Sequence, residues 1–124
     1  MGNPTLIKNY TSPAAAAAYR IAKPGANDGE VAQAAAATDA LMGVYESLPV
    51  AAGERCDIVK SGIADVEFGG VVTRGQPITS DAVGRAVVAA PAAGSNVRII
   101  GFAEVSAVLG DIGPLLIAPG LMQG

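Results

Sequence analysis

Glycine and proline punctuate this chain so often that every regular element must be short. Sixteen glycines and eight prolines fall among 124 residues. Both fit poorly inside helices and central strands. Brief elements joined by frequent turns are the pattern of sandwiches and barrels, so the fold class read here is mainly β: a small single-domain β-barrel or sandwich of short strands. The length suits one domain, which buries roughly two-thirds of its extended surface in a modest core. That core must be aliphatic, because Tyr10, Tyr19, Tyr45, Phe68 and Phe102 are the only aromatic residues.

The run SPAAAAAYRIAKPG, residues 12–25, imitates a helix start, with Ser12 as N-cap and Pro13 in the first turn. Such a helix would stop at Pro24-Gly25. Its large apolar groups, Tyr19 and Ile21, would stand about 200° apart around the axis. In an extended chain Tyr19, Ile21 and Lys23 share one face. The sequence therefore predicts an N-terminal arm over residues 1–18 and a β-rich domain over residues 19–124. The domain opens with a strand over 19–23 and a turn in KPGANDGE. Leu6, Ile7 and Tyr10 have no apolar partner within the arm, which is ordered only against another surface.

Two readings of EVAQAAAATDALMGVYESL stay open. Val31, Ala34, Ala35, Thr38, Leu41, Met42, Tyr45 and Leu48 fit a helical stripe. Gly43 and Val44 weaken it, and two strands over 30–34 and 41–46 compete. Beyond, RCDIVKSG alternates, with Arg55, Asp57 and Val59 opposite Cys56, Ile58 and Lys60; IADVEF alternates again. VVTRGQPITSDAVGRAVVAA reads as strand, turn, strand, with corners at Gly75 and Gly84. NVRIIGFAEVSAVLG is the longest strand candidate, PLLIAPG closes the sheet, and LMQG is a tail.

Little chemistry is available. Histidine is absent, which removes the commonest general base and metal ligand. Cys56 stands alone, so it makes no disulfide in the chain and no cysteine zinc site; it reads as a small buried hydrophobe. Asp57, Asp65 and Glu67 read as an outer strand face, and Ser80-Asp81 as a turn or cap. No phosphate-binding or dinucleotide glycine pattern occurs. We expect no catalytic, cofactor or metal site and no small-molecule substrate. Eight scattered Lys and Arg and a net charge of −3 argue against nucleic acid. No apolar run is long enough for a membrane span, no signal-peptide stretch opens the chain, and Leu6 stands where a myristoylation site wants Ser or Thr.

The cadence AAGERCDIVKSGIADVEFGGVVTRGQPITSDAVGRAVV resembles the capsid cement, or head decoration, proteins of tailed bacteriophages. The matching residues are Gly53, Val59, Gly62, Val66, Gly69, Gly70, Gly75, Thr79, Ser80, Asp81, Gly84 and Arg85. YRIAK and DGEVAQAAAATDALMGV upstream, and RIIGFAEVSA and GDIGPLLIAPG downstream, extend the likeness over most of the chain, and it favours strands over 30–48. The specificity lies in the order and spacing of the pieces. The resemblance implies a compact β-domain with an arm, forming homotrimers on the outside of an icosahedral head. Its partner would be the major capsid protein lattice, on a protein made in the host cytoplasm. On that reading Pro4, Leu6, Ile7, Tyr10 and Pro13 are the partner-binding residues, and deleting residues 1–13 leaves a folded domain that no longer binds. Two rivals are a biotinyl- or lipoyl-type carrier, with Lys60 as the modified lysine, and a generic β-rich scaffold or adhesion module. Val59 and Ser61 beside Lys60 are not the neighbours such a lysine keeps.

Overall fold

The computed structural model describes residues 2–124, and they contain nine strands and no helix. The strands are β1 (Asn3–Ser12), β2 (Ile21–Pro24), β3 (Val31–Gln33), β4 (Gly43–Tyr45), β5 (Glu54–Glu67), β6 (Pro77–Ser80), β7 (Ala86–Val88), β8 (Asn96–Ala103) and β9 (Ile112–Gln123). They form one curled antiparallel sheet in the order β3-β2-β4-β5-β9-β8-β6-β7, with β1 added to β5. Mainly β, single-domain and barrel-like, it has the fold class the glycine and proline spacing predicts.

β5 organises the sheet because it belongs to two rings of strands. Its first part pairs with β1 and β4, and its last part with β9. A parallel bridge between Thr11 and Glu30 brings β1 to β3 and closes the first ring, β3-β2-β4-β5-β1. A parallel bridge between Phe68 and Ala86 brings β7 to the end of β5 and closes the second, β5-β9-β8-β6-β7. Each ring encloses a core, and the larger one also takes in Ile21, Val44 and Val59 from the outer side of the first ring. Every strand of the first contributes to one cluster: Tyr10, Ala22, Val31, Tyr45, and Cys56 with Ile58. The second ring is filled by Ala64, Val66, Ile78, Ala86, Ile100, Ala103, Leu115 and Ile117.

β5 can serve both because its facing changes partway. Cys56 and Ile58 point into the first core, whereas Ala64 and Val66 point into the second. Strict alternation would put even-numbered residues on one face throughout. The change occurs at Gly62, whose φ is 87°. Opposite it the β1 register slips, with Pro4 facing Gly62, Leu6 facing Ser61 and Ile7 facing Val59. A Cβ on Gly62 would lie 2.6 Å from the Asn3 carbonyl oxygen and 2.7 Å from the Thr5 nitrogen. Only glycine meets both demands.

Several elements differ from the sequence reading. RCDIVKSG and IADVEF join into one fourteen-residue strand, β5, which is longer than the eight-residue β8 found in NVRIIGFAEVSAVLG. The rest of that stretch is a loop, pinned where Val72 bridges Ala107. The first strand of the expected domain starts at Ile21, because Tyr19 takes a left-handed φ of 63°. That backbone lets the Tyr19 carbonyl accept from the Glu67 N–H at 2.9 Å. Residues 30–48 hold two short strands, β3 and β4, rather than a helix. Asp39 organises the connection between them by accepting from the Ala35 and Ala36 N–H groups at 2.8 and 3.0 Å. Burial pushes its carboxyl up, but these bonds and the Lys23 ammonium at 3.3 Å outweigh that and hold it below the usual range. LMQG is no loose tail, since β9 runs through Gln123 and pairs with Asn96.

Candidate functional site

The arm lies along its own domain as β1, paired with β5 from Asn3 opposite Ile63 to Ser12 opposite Glu54. Its two ends do different things. Tyr10 is only 7% exposed, and its ring sits in the first core. The Lys60 ammonium donates to the Tyr10 hydroxyl at 3.1 Å, and Lys8 and Lys60 lie 5.1 and 5.5 Å from the ring centre. Ser12 is fully buried. Its hydroxyl donates to the Ala14 carbonyl at 2.8 Å, so the Tyr45 hydroxyl, 3.0 Å away, donates to it in turn. Burial pushes the Tyr45 hydroxyl pKa up, despite the Ser12 contact.

Residues 3–9 by contrast leave their side chains in solvent, with Leu6 54% and Ile7 44% exposed. Pro4 is exposed where β1 crosses Gly62, and Pro13 is exposed just past the strand. Of the arm residues singled out in the sequence, Pro4, Leu6, Ile7 and Pro13 are thus exposed, while Tyr10 is buried. Tyr10 is an anchor because its place opposite Cys56 turns its ring inward with Ile58 and Tyr45. Gly2 and Pro4 also edge a cleft of about 230 Å³, with Tyr19, Glu46, Ile63 and Asp65 on its walls.

A second exposed feature escaped the sequence reading. Ile63, Leu116, Phe102 and Pro77 are successive cross-strand partners on β5, β9, β8 and β6. Their neighbours Ala64, Leu115, Ala103 and Ile78 face the second core, so this row faces outward. Phe102 is 37% and Leu116 39% exposed. Apolar neighbours on both sides of Leu116 hide it in the sequence; only Phe102, between Gly101 and Ala103, hints at an outward ring.

The remaining candidate groups are committed to structure. Asp57 accepts from the Asn9 amide at 3.0 Å. Glu67 pairs with Arg20 at 3.4 Å and reaches Arg85 at 4.0 Å. Asp81 accepts from the Val83 and Arg85 N–H groups and holds the Arg85 guanidinium at 3.1 Å, the turn expected of Ser80-Asp81. Cys56 is buried; burial and then the Asp57 charge push its thiol pKa up, away from reactivity. Lys60 lies within β5 and is bonded to Tyr10, not at the hairpin tip a carrier lysine needs.

No family profile matches the chain, and no curated protein matches it. Among solved structures it superimposes on the N base of the head fiber gp8.5 in bacteriophage phi29, with a TM-score of 0.69. The chain has the fold of the phi29 head-fiber base. The match covers 91% of this chain and 93% of the head-fiber base at 20% identity. Coverage that complete includes both rings and leaves little of either protein outside the common fold. The matched structure belongs to a bacteriophage head fiber, and the sequence cadence resembles phage head decoration proteins.

Proposed function

We propose that this chain is a structural protein of a phage head, seated on the outer surface of the major capsid protein lattice as a homotrimer. It stabilises the expanded shell there. The observation that carries this reading is the fold shared with the phi29 head-fiber base over nine-tenths of both chains. The motif order from Gly53 to Arg85 supports it independently. No reaction is needed. A ligand that binds one shell state better than another shifts the shell toward that state. At 100 times the dissociation constant each site gains about 2.7 kcal/mol, and a head offers many sites.

The arm supplies the contact. Tyr10 and Ser12 hold its base in the first core, so the exposed Pro4, Leu6 and Ile7 reach a neighbour without the whole arm having to order on binding. Pre-organisation of this kind removes part of the entropic cost of association. On this reading the protein is made in the host cytoplasm, joins the virion, and contacts neither nucleic acid nor membrane.

Adding purified protein to expanded, undecorated heads of its own phage tests the proposal. Electron microscopy should show new density on the outer shell, and the heads should withstand higher temperatures. Leu6→Ser with Ile7→Ser should leave the fold intact and lower occupancy at least tenfold. Unchanged heads after addition of saturating wild-type protein would refute the proposal.

A further inference from the structure

We infer that the seam between β1 and β5 is a binding site for a doubly charged oxyanion of the phosphate class, held by Lys8, Lys60 and the Tyr10 hydroxyl. The site stands apart from the shell-binding reading and does not need it. Strand pairing brings the three groups together. Lys8 lies opposite Ile58 and Tyr10 opposite Cys56, so both leave β1 on the same side. Lys60 reaches the same place from β5, where its ammonium donates to the Tyr10 hydroxyl at 3.1 Å. The Lys8 and Lys60 ammoniums lie 5.1 and 5.5 Å from the centre of that one ring.

All three groups have hydrogens to give, and nothing there accepts them. A lysine ammonium has three hydrogens and no lone pair. The Tyr10 oxygen already accepts from Lys60, so its own hydrogen is left to donate, and no acceptor takes it among the described residues. Tyr10 is buried, and an unused donor in such a place costs free energy. Neither lysine takes part in an ion pair among the described residues. The carboxylates on this part of β5 are engaged elsewhere. Asp57 accepts from the Asn9 amide, and Asn9 alternates with Lys8 and Tyr10 to the other side of β1. Glu54 accepts from the Ala51 N–H. A tyrosine ring attracts a cation but has no net charge, so two positive charges stay uncancelled. A carboxylate would answer only one of them. A phosphate-class ion matches both charges and has oxygens enough for the hydroxyl as well. Lys8 is exposed, so its long side chain is free to close over the ion. Lys8 and Tyr10 belong to β1 and Lys60 to β5, so the bound ion would fasten the arm to the domain.

Inorganic phosphate added to the full chain tests this, with chloride of equal ionic strength as the reference. Proton–nitrogen spectra should show the Lys8, Tyr10 and Lys60 amides moving along one saturating curve. Saturating phosphate should raise the melting temperature by about 3 °C or more and slow proteolysis within residues 3–9. Phosphate also stabilises proteins generally, by exclusion from their surface. Lys8→Met with Lys60→Met sets that baseline and should lose the saturating curve and the excess stabilisation together. Lys8→Met alone changes only an exposed side chain, so the fold should persist while binding weakens about tenfold. Tyr10→Phe keeps the ring and should weaken binding through the lost hydroxyl alone. Three outcomes overturn the inference: a phosphate response shared by the double variant, undiminished binding by Lys8→Met, or acetate bound as tightly as phosphate. None of the three bears on whether the protein coats heads, so the two readings fail separately.

Discussion

At the scale of single residues, two side chains and one missing side chain hold the arm to the domain. Tyr45 stays neutral because burial disfavours its charged form more than the Ser12 contact favours it. Its pKa is therefore higher folded than unfolded, and the stability it provides is complete below the ordinary phenol value. As pH rises past about 10 the unfolded chain loses its proton first and that stability declines. Tyr45→Phe should remove this tyrosine's share of the alkaline loss. It should also cost about 1 kcal/mol at neutral pH, because the Ser12 hydroxyl loses its donor. Guanidinium unfolding at pH 7 and again above pH 10 measures both. Gly62→Ala combines a left-handed backbone with a clash against two β1 backbone atoms. It should destabilise by about 1–3 kcal/mol and speed proteolysis within residues 3–12, as limited digestion would reveal.

At the scale of elements, the arm is both strand and staple. Deleting residues 1–13 removes Tyr10 and Ser12 from the first core, so the structure does not support the expectation of a folded remainder. That truncation should unfold the first ring, with loss of dispersed amide signals in a proton–nitrogen spectrum. Deleting residues 2–7 should leave the ring folded, because those side chains are exposed. The sequence could not separate these two halves. Alternation from Arg55 to Lys60 was legible because each residue keeps its face over six positions. The reversal at Gly62 was not, since a glycine reads the same whether it ends a strand or bends one. Tyr10 gave no inward signal because the residues it meets, Cys56 and Ile58, lie far along the chain. The turn at Asp81 was legible because its bonds are local. Phe102 and Leu116 went unread because strand pairing, not local pattern, makes them neighbours.

At the scale of the whole molecule, two small rings share one strand, and each encloses a core. Neither ring holds a large core: two tyrosines and aliphatic residues fill the first, and Phe68 with aliphatic residues the second. Such a design leaves apolar surface outside, on the arm of one ring and the wall of the other.

The pairing of β1 with β5 has a further consequence for how the protein is made. Tyr10 and Lys60, bonded in the finished fold, stand 50 positions apart. During synthesis the leading strand must therefore wait, unpaired, until its distant mate leaves the ribosome. Contacts that span so much chain slow folding, into the range of milliseconds to seconds. For that interval the newborn strand, with Leu6 and Ile7 bare, is open to capture by any other chain emerging nearby.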